Sequence, residues 1–303
     1  MKRFFQKLLI RPQPRPVNSA LEIYETKAIE FHEFEPLETF HKGHFATERE
    51  TEAALSRRGG QAAIYRPWST TAEDVSIATP AMFLDMYNFR ESFVDALGLN
   101  ARQRQLLLSV QSRLEMGQNK VLLFEHKTAL HRALTRSGAD VTSSHYVENR
   151  NDPHFQDMQD LTFNDESFDI VVHSDVLEHV PDYRAALSEC KRVLKSGGLL
   201  IYTAPFFPIE KSFLRAEHAA DGRLIRHLPD EIHGDNLTGG ILAYHNFGWD
   251  LIEAQKLVGF DQVGVEVCLA PELGLFSTNC PIWTELDPPQ PGNMLPIVIL
   301  GQA

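Results

Sequence analysis

Ionisable residues collect just behind the apolar runs of this 303-residue chain. Glu125, His126, Lys127 and Thr128 follow residues 121–124. His145 and Glu148 close a run that starts at Asp140. His173, Ser174 and Asp175, then Glu178 and His179, follow residues 168–172, and Thr203 ends another run. His173, Asp175 and His233 are the candidate bases for drawing a proton from a hydroxyl or amine acceptor, with His173 and Asp175 best placed. Glu178 and His179 read more simply as a helix cap or as packing. His173-Ser174-Asp175 is also an H-x-D, which His233 or His245 would complete as a two-histidine, one-carboxylate iron site.

The elements that would position these residues come from periodicity. Residues 121–124, 140–146, 168–172, 199–203, 263–269 and 297–300 read as strands, the third apolar apart from Asp169, as in a strand buried on both faces. Thr128 is a credible N-cap for a helix carrying Leu130, Ala133 and Leu134 and closed by Gly138. Pro181-Asp182 opens a second helix with Tyr183, Ala186, Leu187, Cys190, Val193 and Leu194 on one face, and Gly197-Gly198 stops it. A third spans 249–258. Alternating strands and helices predict an α/β fold with a doubly wound, mostly parallel sheet, whose ligands bind beyond the carboxyl ends of the strands. Iron oxygenases of the H-x-D type sit on antiparallel jelly rolls, which this alternation opposes.

Three segments are expected. Residues 1–75 form a weakly patterned N-terminal extension. Residues 76–118 form a helical lead-in, with Met82, Phe83, Met86, Phe89 and Phe93 at helical spacing and a second helix over 103–116. Residues 119–303 form the α/β domain, with a lid-like insertion at 205–245. The chain is 43% apolar and 23% charged, with a net charge of −12. Lys2, Arg3, Lys7, Arg11 and Arg15 lie in the first 18 residues with no acid, which leaves −17 for the rest. That balance argues against a general nucleic-acid binder. The basic apolar start reads either as a tail or as a weak contact for an anionic membrane surface. Cys190, Cys268 and Cys280 are odd in number and widely spaced, so neither a disulfide framework nor a zinc set is assigned, and a cytoplasmic setting is expected.

The stretch FDIVVHSDVLEHVPDYRAALSECKRVLKSGGLLIYTAPF (168–206) resembles the core of class I S-adenosylmethionine-dependent methyltransferases. FQDMQDLTFNDESFD (155–169) is similar to that family's lead-in. NFRESFVDALGLNARQR (88–104), HLPDEIHGDN (227–236) and FGWDLIEAQKLVGF (247–260) resemble flanking blocks of a branch that lacks the glycine loop. The resemblance covers about residues 85–300 and implies a seven-stranded, Rossmann-like sheet with S-adenosyl-L-methionine as cofactor, and Asp157, Met158 and Gln159 against its adenine.

Two positions depart from the family pattern. Where the family places three glycines after the first strand, this chain has Glu125, Lys127 and Ala129, so the cofactor-binding set becomes Glu125, His126, Lys127, Thr128, His145 and His173. Lys127 is expected to pair with the cofactor's carboxylate and Glu125 with its ammonium. Where a ribose-binding acid is usual stands His145, with Glu148 three residues on. The resemblance implies a methyltransferase acting on a small polar acceptor, such as a sugar hydroxyl of a surface glycan or a secondary metabolite. A methyltransferase-fold protein that binds without catalysing stays open beside it, as does the iron site.

Overall fold

The computed structural model describes residues 19–57, 60–76, 88–115, 117–147, 149–233, 240–277 and 294–303. Seven strands form the main sheet: β1 (Ala28–Phe31), β2 (Lys120–Leu123), β3 (Asp140–Ser143), β4 (Phe168–Ser174), β5 (Leu194–Thr203), β6 (Asp261–Cys268) and β7 (Val298–Gln302). Their spatial order is β1-β6-β7-β5-β4-β2-β3. β3, β2, β4 and β5 pair in parallel. β7 is antiparallel to β5, β6 to β7, and β1 to β6, so five strands share one direction.

Side chains alternate between the faces of a strand, and here the alternation sorts the core into two layers. Leu122, Val171, Leu200 and Ile299 pack with Ala186, Leu187 and Cys190 of α5 (Tyr183–Val193) and Leu251 and Ile252 of α6 (Asp250–Leu257). On the other face Val121, Leu123, Ile170 and Val172 pack with Leu106, Leu107 and Val110 of α3 (Ala101–Arg113) and Leu130 and Leu134 of α4 (Ala129–Arg136). Helices on both faces explain why β4 has no polar side. The expected doubly wound fold is present.

The N-terminal region is more ordered than its pattern suggests. From residue 19 it holds α1 (Ser19–Lys27), the edge strand β1, α2 (Phe34–Arg57) and a hairpin of Gln61–Tyr65 with Ala72–Ser76. Charge docks it on the sheet. The Tyr24 hydroxyl donates to Glu266, and the Arg113 guanidinium reaches Glu266 at 2.8 Å and Glu30 at 2.6 Å.

The helix read over 81–97 fails where it is described, since residues 88–97 form two turns joined by irregular chain. Arg104, fully buried, is the reason. Its guanidinium donates to the carbonyls of Phe93, Leu99 and Leu273 at 3.0, 3.2 and 2.8 Å, which bends residues 93–99 around it. Phe89 and Phe93 stack instead on Phe276, at 4.3 and 5.4 Å between ring centroids. Met82, Phe83 and Met86 lie outside the described residues, as do residues 1–18, Glu148, Gly234–Asn236 in the lid stretch and Cys280. The helical signal over 103–116 is α3, opened by a reciprocal cap between Asn100 and Gln103.

Gly197 and Gly198 do not stop a helix. α5 ends at Val193, and the glycines lie within β5 at an irregular register. A Cβ on Gly198 would stand 2.9 Å from the Lys195 carbonyl oxygen and 3.0 Å from that of Asp169, so only glycine fits so close to β4. The stretch read as a lid folds into short ribbons, Phe213–Leu214 with His245–Asn246, Ala216–His218 with Leu224–Arg226, and Ile232–His233 with Ile241–Leu242. Phe206, Phe207 and Phe247 anchor it, each buried to 1% exposure or less.

Candidate active site

Elements β2, β4 and β5 end at one edge of the sheet. Behind β2, the turn 125–128 reaches α4 without a glycine because Lys127 itself adopts φ +59°, the left-handed conformation that glycine takes freely. For a side-chain-bearing residue this costs roughly 1–2 kcal/mol. It is held by two bonds from α4: the Lys127 N–H donates to His131 Nδ1 at 3.1 Å, and Arg132 donates to the Lys127 carbonyl at 3.1 Å. Thr128 caps α4 as expected, accepting from the His131 N–H. Lys127 therefore supplies a backbone shape while its side chain is exposed. Lys127→Gly should raise the unfolding free energy by up to about 1 kcal/mol, read by urea titration, because the strain disappears.

Glu125 is half-buried, and its Oε2 is buried without a hydrogen-bond partner. Burial pushes its carboxyl up, against the opposing pull of Thr128, Arg102 and Ser174. A carboxylate with one buried, unbonded oxygen favours a cation beside that oxygen.

At the end of β4, Asp175 also takes a left-handed φ, +51°. Arg90 Nη2 donates to its Oδ1 at 2.6 Å, Thr203 Oγ1 donates to the same oxygen at 2.9 Å, and Arg102 Nε lies 3.3 Å from Oδ2. Burial alone would raise this carboxyl, but Arg102 and then Arg90 outweigh it and hold it well below the usual carboxylate range. Glu91 completes the cluster, bonded to Arg90 at 2.7 Å and to Arg102 at 2.8 and 3.2 Å, and Arg102 also donates to Ser174. Two guanidiniums thus face Glu91, Asp175 and Glu125, and one negative charge is left over. A carboxylate so firmly paired positions its neighbours; it is a poor base.

His173 is fully buried, stacked on Tyr202 at 4.3 Å and edge-on to Phe124 at 6.4 Å, with neither ring nitrogen hydrogen-bonded. Burial pushes its pKa down to about 3 against the opposing pull of Asp175. This corrects the expectation of a base or cofactor contact: the ring is core. The unfolded chain binds a proton at this residue below about pH 6.5 and the folded chain does not. Stability is therefore whole above pH 6.5 and falls as pH drops toward 3, by up to about 1.4 kcal/mol per unit from this residue. His173→Phe should flatten that acid limb in urea unfolding at pH 7.5, 6.0 and 5.0.

His233, on the ribbon Ile232–His233, bonds Glu231 Oε1 through Nε2 at 2.8 Å, and its Nδ1 lies 3.6 Å from Glu178 Oε1. Burial lowers its pKa, but Glu178 and Glu231 outweigh it and lift it to about 10. A ring that keeps its proton so firmly does not serve as a free base. The iron triad does not assemble either. His173 is core, Asp175 is saturated, and His245 is bonded to the Pro181 carbonyl. Among the described residues the cluster with metal-ligand spacing is Glu178, His179 and His233.

Comparison with known proteins agrees with this geometry. Residues 127–202, which run from the turn behind β2 through β5, match the family model described as a methyltransferase domain. The matched segment is similar to methyltransferase domains over about a quarter of the chain. The ubiquinone biosynthesis O-methyltransferase of Colwellia psychrerythraea is 37% identical over 70 residues, 23% of this chain and 28% of that protein. The demethylmenaquinone methyltransferase of Staphylococcus haemolyticus is 43% identical over 58 residues, 18% and 24% of the two chains. The chain thus spans about a quarter of the length of these curated relatives. Among solved structures, an S-adenosylmethionine-dependent methyltransferase from Mesorhizobium loti is 18% identical, with a TM-score of 0.39 over 64% of this chain and 96% of that one.

In the methyltransferase segment the remaining expected residues are spread along the outer edge. Asp157 Oδ1 accepts from the Gln159 backbone and side chain at 3.0 and 3.2 Å, and Gln159 Oε1 accepts from the Asp182 N–H at 3.0 Å. The turn they make carries Met158 into the core, 4% exposed, so its side chain packs beneath the site and does not line it. His145 bonds Asp152 at 3.1 Å. His126 bonds Ser143 Oγ at 2.8 Å and stacks on His154 at 3.7 Å. Arg90, Arg102, His131 and His154 are the residues that sequence reasoning did not place in the site. The signal for the two arginines lay in the 88–104 block, whose partners are about 70–85 positions away.

Proposed function

We propose that the protein transfers the methyl group of S-adenosylmethionine to an oxygen of a small polar acceptor. The observation that carries this reading is the unmatched negative charge at the edge of β2 and β4, centred on the half-buried Glu125, whose Oε2 has no hydrogen-bond partner. S-adenosylmethionine supplies an activated methyl on a sulfonium, and its methionine end adds an ammonium and a carboxylate, one net positive charge in all. Glu125 would face those cations, the paired arginines would hold the site's shape through Asp175 and Ser174, and Asp157 and Gln159 would border the adenine. His126 and His145 would border the ribose. Methyl transfer from a sulfonium is an in-line displacement, so alignment and exclusion of water are the protein's main tasks. Asp175 and His173 serve that alignment by position.

Sugar hydroxyls and phenolic or quinol hydroxyls are the acceptor classes to assay first. The second follows from the quinone-pathway names of the two curated relatives. The test is transfer of radiolabelled methyl from S-adenosylmethionine to acceptors of each class. Label in a hydroxyl-bearing product supports the reading, and cofactor binding without transfer to any class would favour a binding protein. The second reading has one observation on its side: His126, stacked on His154, fills space beside Ser143 where the family keeps an open glycine turn.

A further inference from the structure

Glu178 follows β4 by four residues and is fully buried, yet neither of its carboxylate oxygens has a hydrogen-bond partner. An ionised carboxylate in that state is costly unless something cationic meets it. Its nearest neighbours are two imidazole nitrogens, His179 Nε2 and His233 Nδ1, each 3.6 Å from Oε1. That spacing is too long for a hydrogen bond. It is close to the ~3.4 Å edge between two ligands that each stand ~2.1 Å from one tetrahedral cation.

The far nitrogens of both rings show where the lone pairs point. His179 Nδ1 is 2.9 Å from the Leu242 carbonyl, and His233 Nε2 is 2.8 Å from the Glu231 carboxylate. Both partners can only accept, so each neutral ring carries its proton on that outer nitrogen. The inner nitrogens are then the positions that face Glu178, and a cation entering there displaces the second proton that His233 otherwise holds. Two imidazole nitrogens and a carboxylate converge on one point. An outer nitrogen donating to a carbonyl or a carboxylate is also the arrangement that orients metal-bound histidines. The three donor atoms lie within 4.8 Å of one another, and His179 and His233 meet edge to face at 4.9 Å.

We propose that Glu178, His179 and His233 bind a first-row divalent cation, with Glu231 orienting His233 from behind. Two nitrogens and one oxygen suit zinc, cobalt, manganese or iron better than calcium or magnesium. The cation would tie the ribbon Ile232–His233 to the sheet edge, where the main-chain bond from Tyr244 N–H to the Glu178 carbonyl already joins them at 2.7 Å. The inference stands apart from the methyl-transfer reading, since it needs no cofactor.

The test is titration of the metal-stripped full chain with cobalt(II), followed by its visible d–d absorption, and with zinc by calorimetry. The expected result is one equivalent bound at micromolar or tighter affinity. Glu178→Gln and His233→Ala should each weaken binding at least tenfold, and Glu231→Gln by about ten- to a hundredfold. Because His233 sits on a surface ribbon, His233→Ala reports even if the buried Glu178→Gln fails to fold. Absence of a cobalt band would overturn the proposal and leave a Glu178–His233 ion pair. So would a band that persists in His233→Ala but disappears in His154→Ala, which would place the metal at the other histidine cluster.

Discussion

Asp175→Ala should lower the unfolding free energy by about 3–5 kcal/mol, because it strips the carboxylate from two guanidiniums that have little water to turn to. The Arg90 and Arg102 side chains are 5% and 12% exposed, and Asp175 is bonded by Arg90 at 2.6 Å and by Thr203 at 2.9 Å, with Arg102 at 3.3 Å. Glu91, with only the weaker pull of Glu125 beside it, would then have to neutralise both. Alanine also fits the left-handed backbone at this position less well than aspartate does. Asp175→Asn keeps the shape and tolerates that backbone, so its loss should be intermediate. The sign of the pH dependence is fixed by the depressed carboxyl. The folded pKa lies below the unfolded one, so the stabilisation is whole above the unfolded value and is lost as pH falls through the folded one. The gap between wild type and Asp175→Ala should hold from pH 8 to 5 and narrow below pH 4. A gap under 1 kcal/mol at pH 7 by urea unfolding would mean that the pairing is not the keystone of this edge.

Glu125→Gln should move stability and affinity in opposite directions. In the free protein Glu125 is the unmatched charge, raised by burial and with Oε2 unpartnered, so neutralising it should raise the melting temperature. The same change removes the group that faces the cofactor's cations. Charged hydrogen bonds of this kind are worth about 1.5–3 kcal/mol, or roughly 10- to 150-fold in dissociation constant. S-adenosylhomocysteine lacks the sulfonium charge, so its affinity should fall less. Thermal unfolding and calorimetry on one preparation check both halves. A variant that loses stability and keeps its affinity would assign Glu125 to the framework.

Much of the sheet could be read from sequence because its signals are local. The apolar run of β4 needs only its own residues, and Thr128 and Asp182 cap the helices they precede. β1 escaped because four residues, none of them buried, carry little pattern, and its partner β6 is more than 230 positions away. The helical spacing of Phe89 and Phe93 misled because the carbonyls bonded by the buried Arg104 set the backbone there, and the phenyl rings pack on Phe276. At the site, sequence placed Glu125 and Asp175 at the correct strand ends. It did not reveal that Asp175 is consumed by two arginines, that His173 is core, or that Lys127 contributes its backbone conformation with its ammonium exposed. Each of those depends on contacts between residues distant in the chain or on a dihedral angle that composition does not encode.

The central claim is that a glycine-free turn with an unmatched carboxylate still accepts S-adenosylmethionine. Calorimetric titration of the purified chain with S-adenosylmethionine, then with S-adenosylhomocysteine, tests it most directly. Saturable binding in the micromolar range, tighter for the charged cofactor than for its neutral product, is the predicted result. No binding heat at millimolar cofactor, in protein shown to be folded, would contradict the claim.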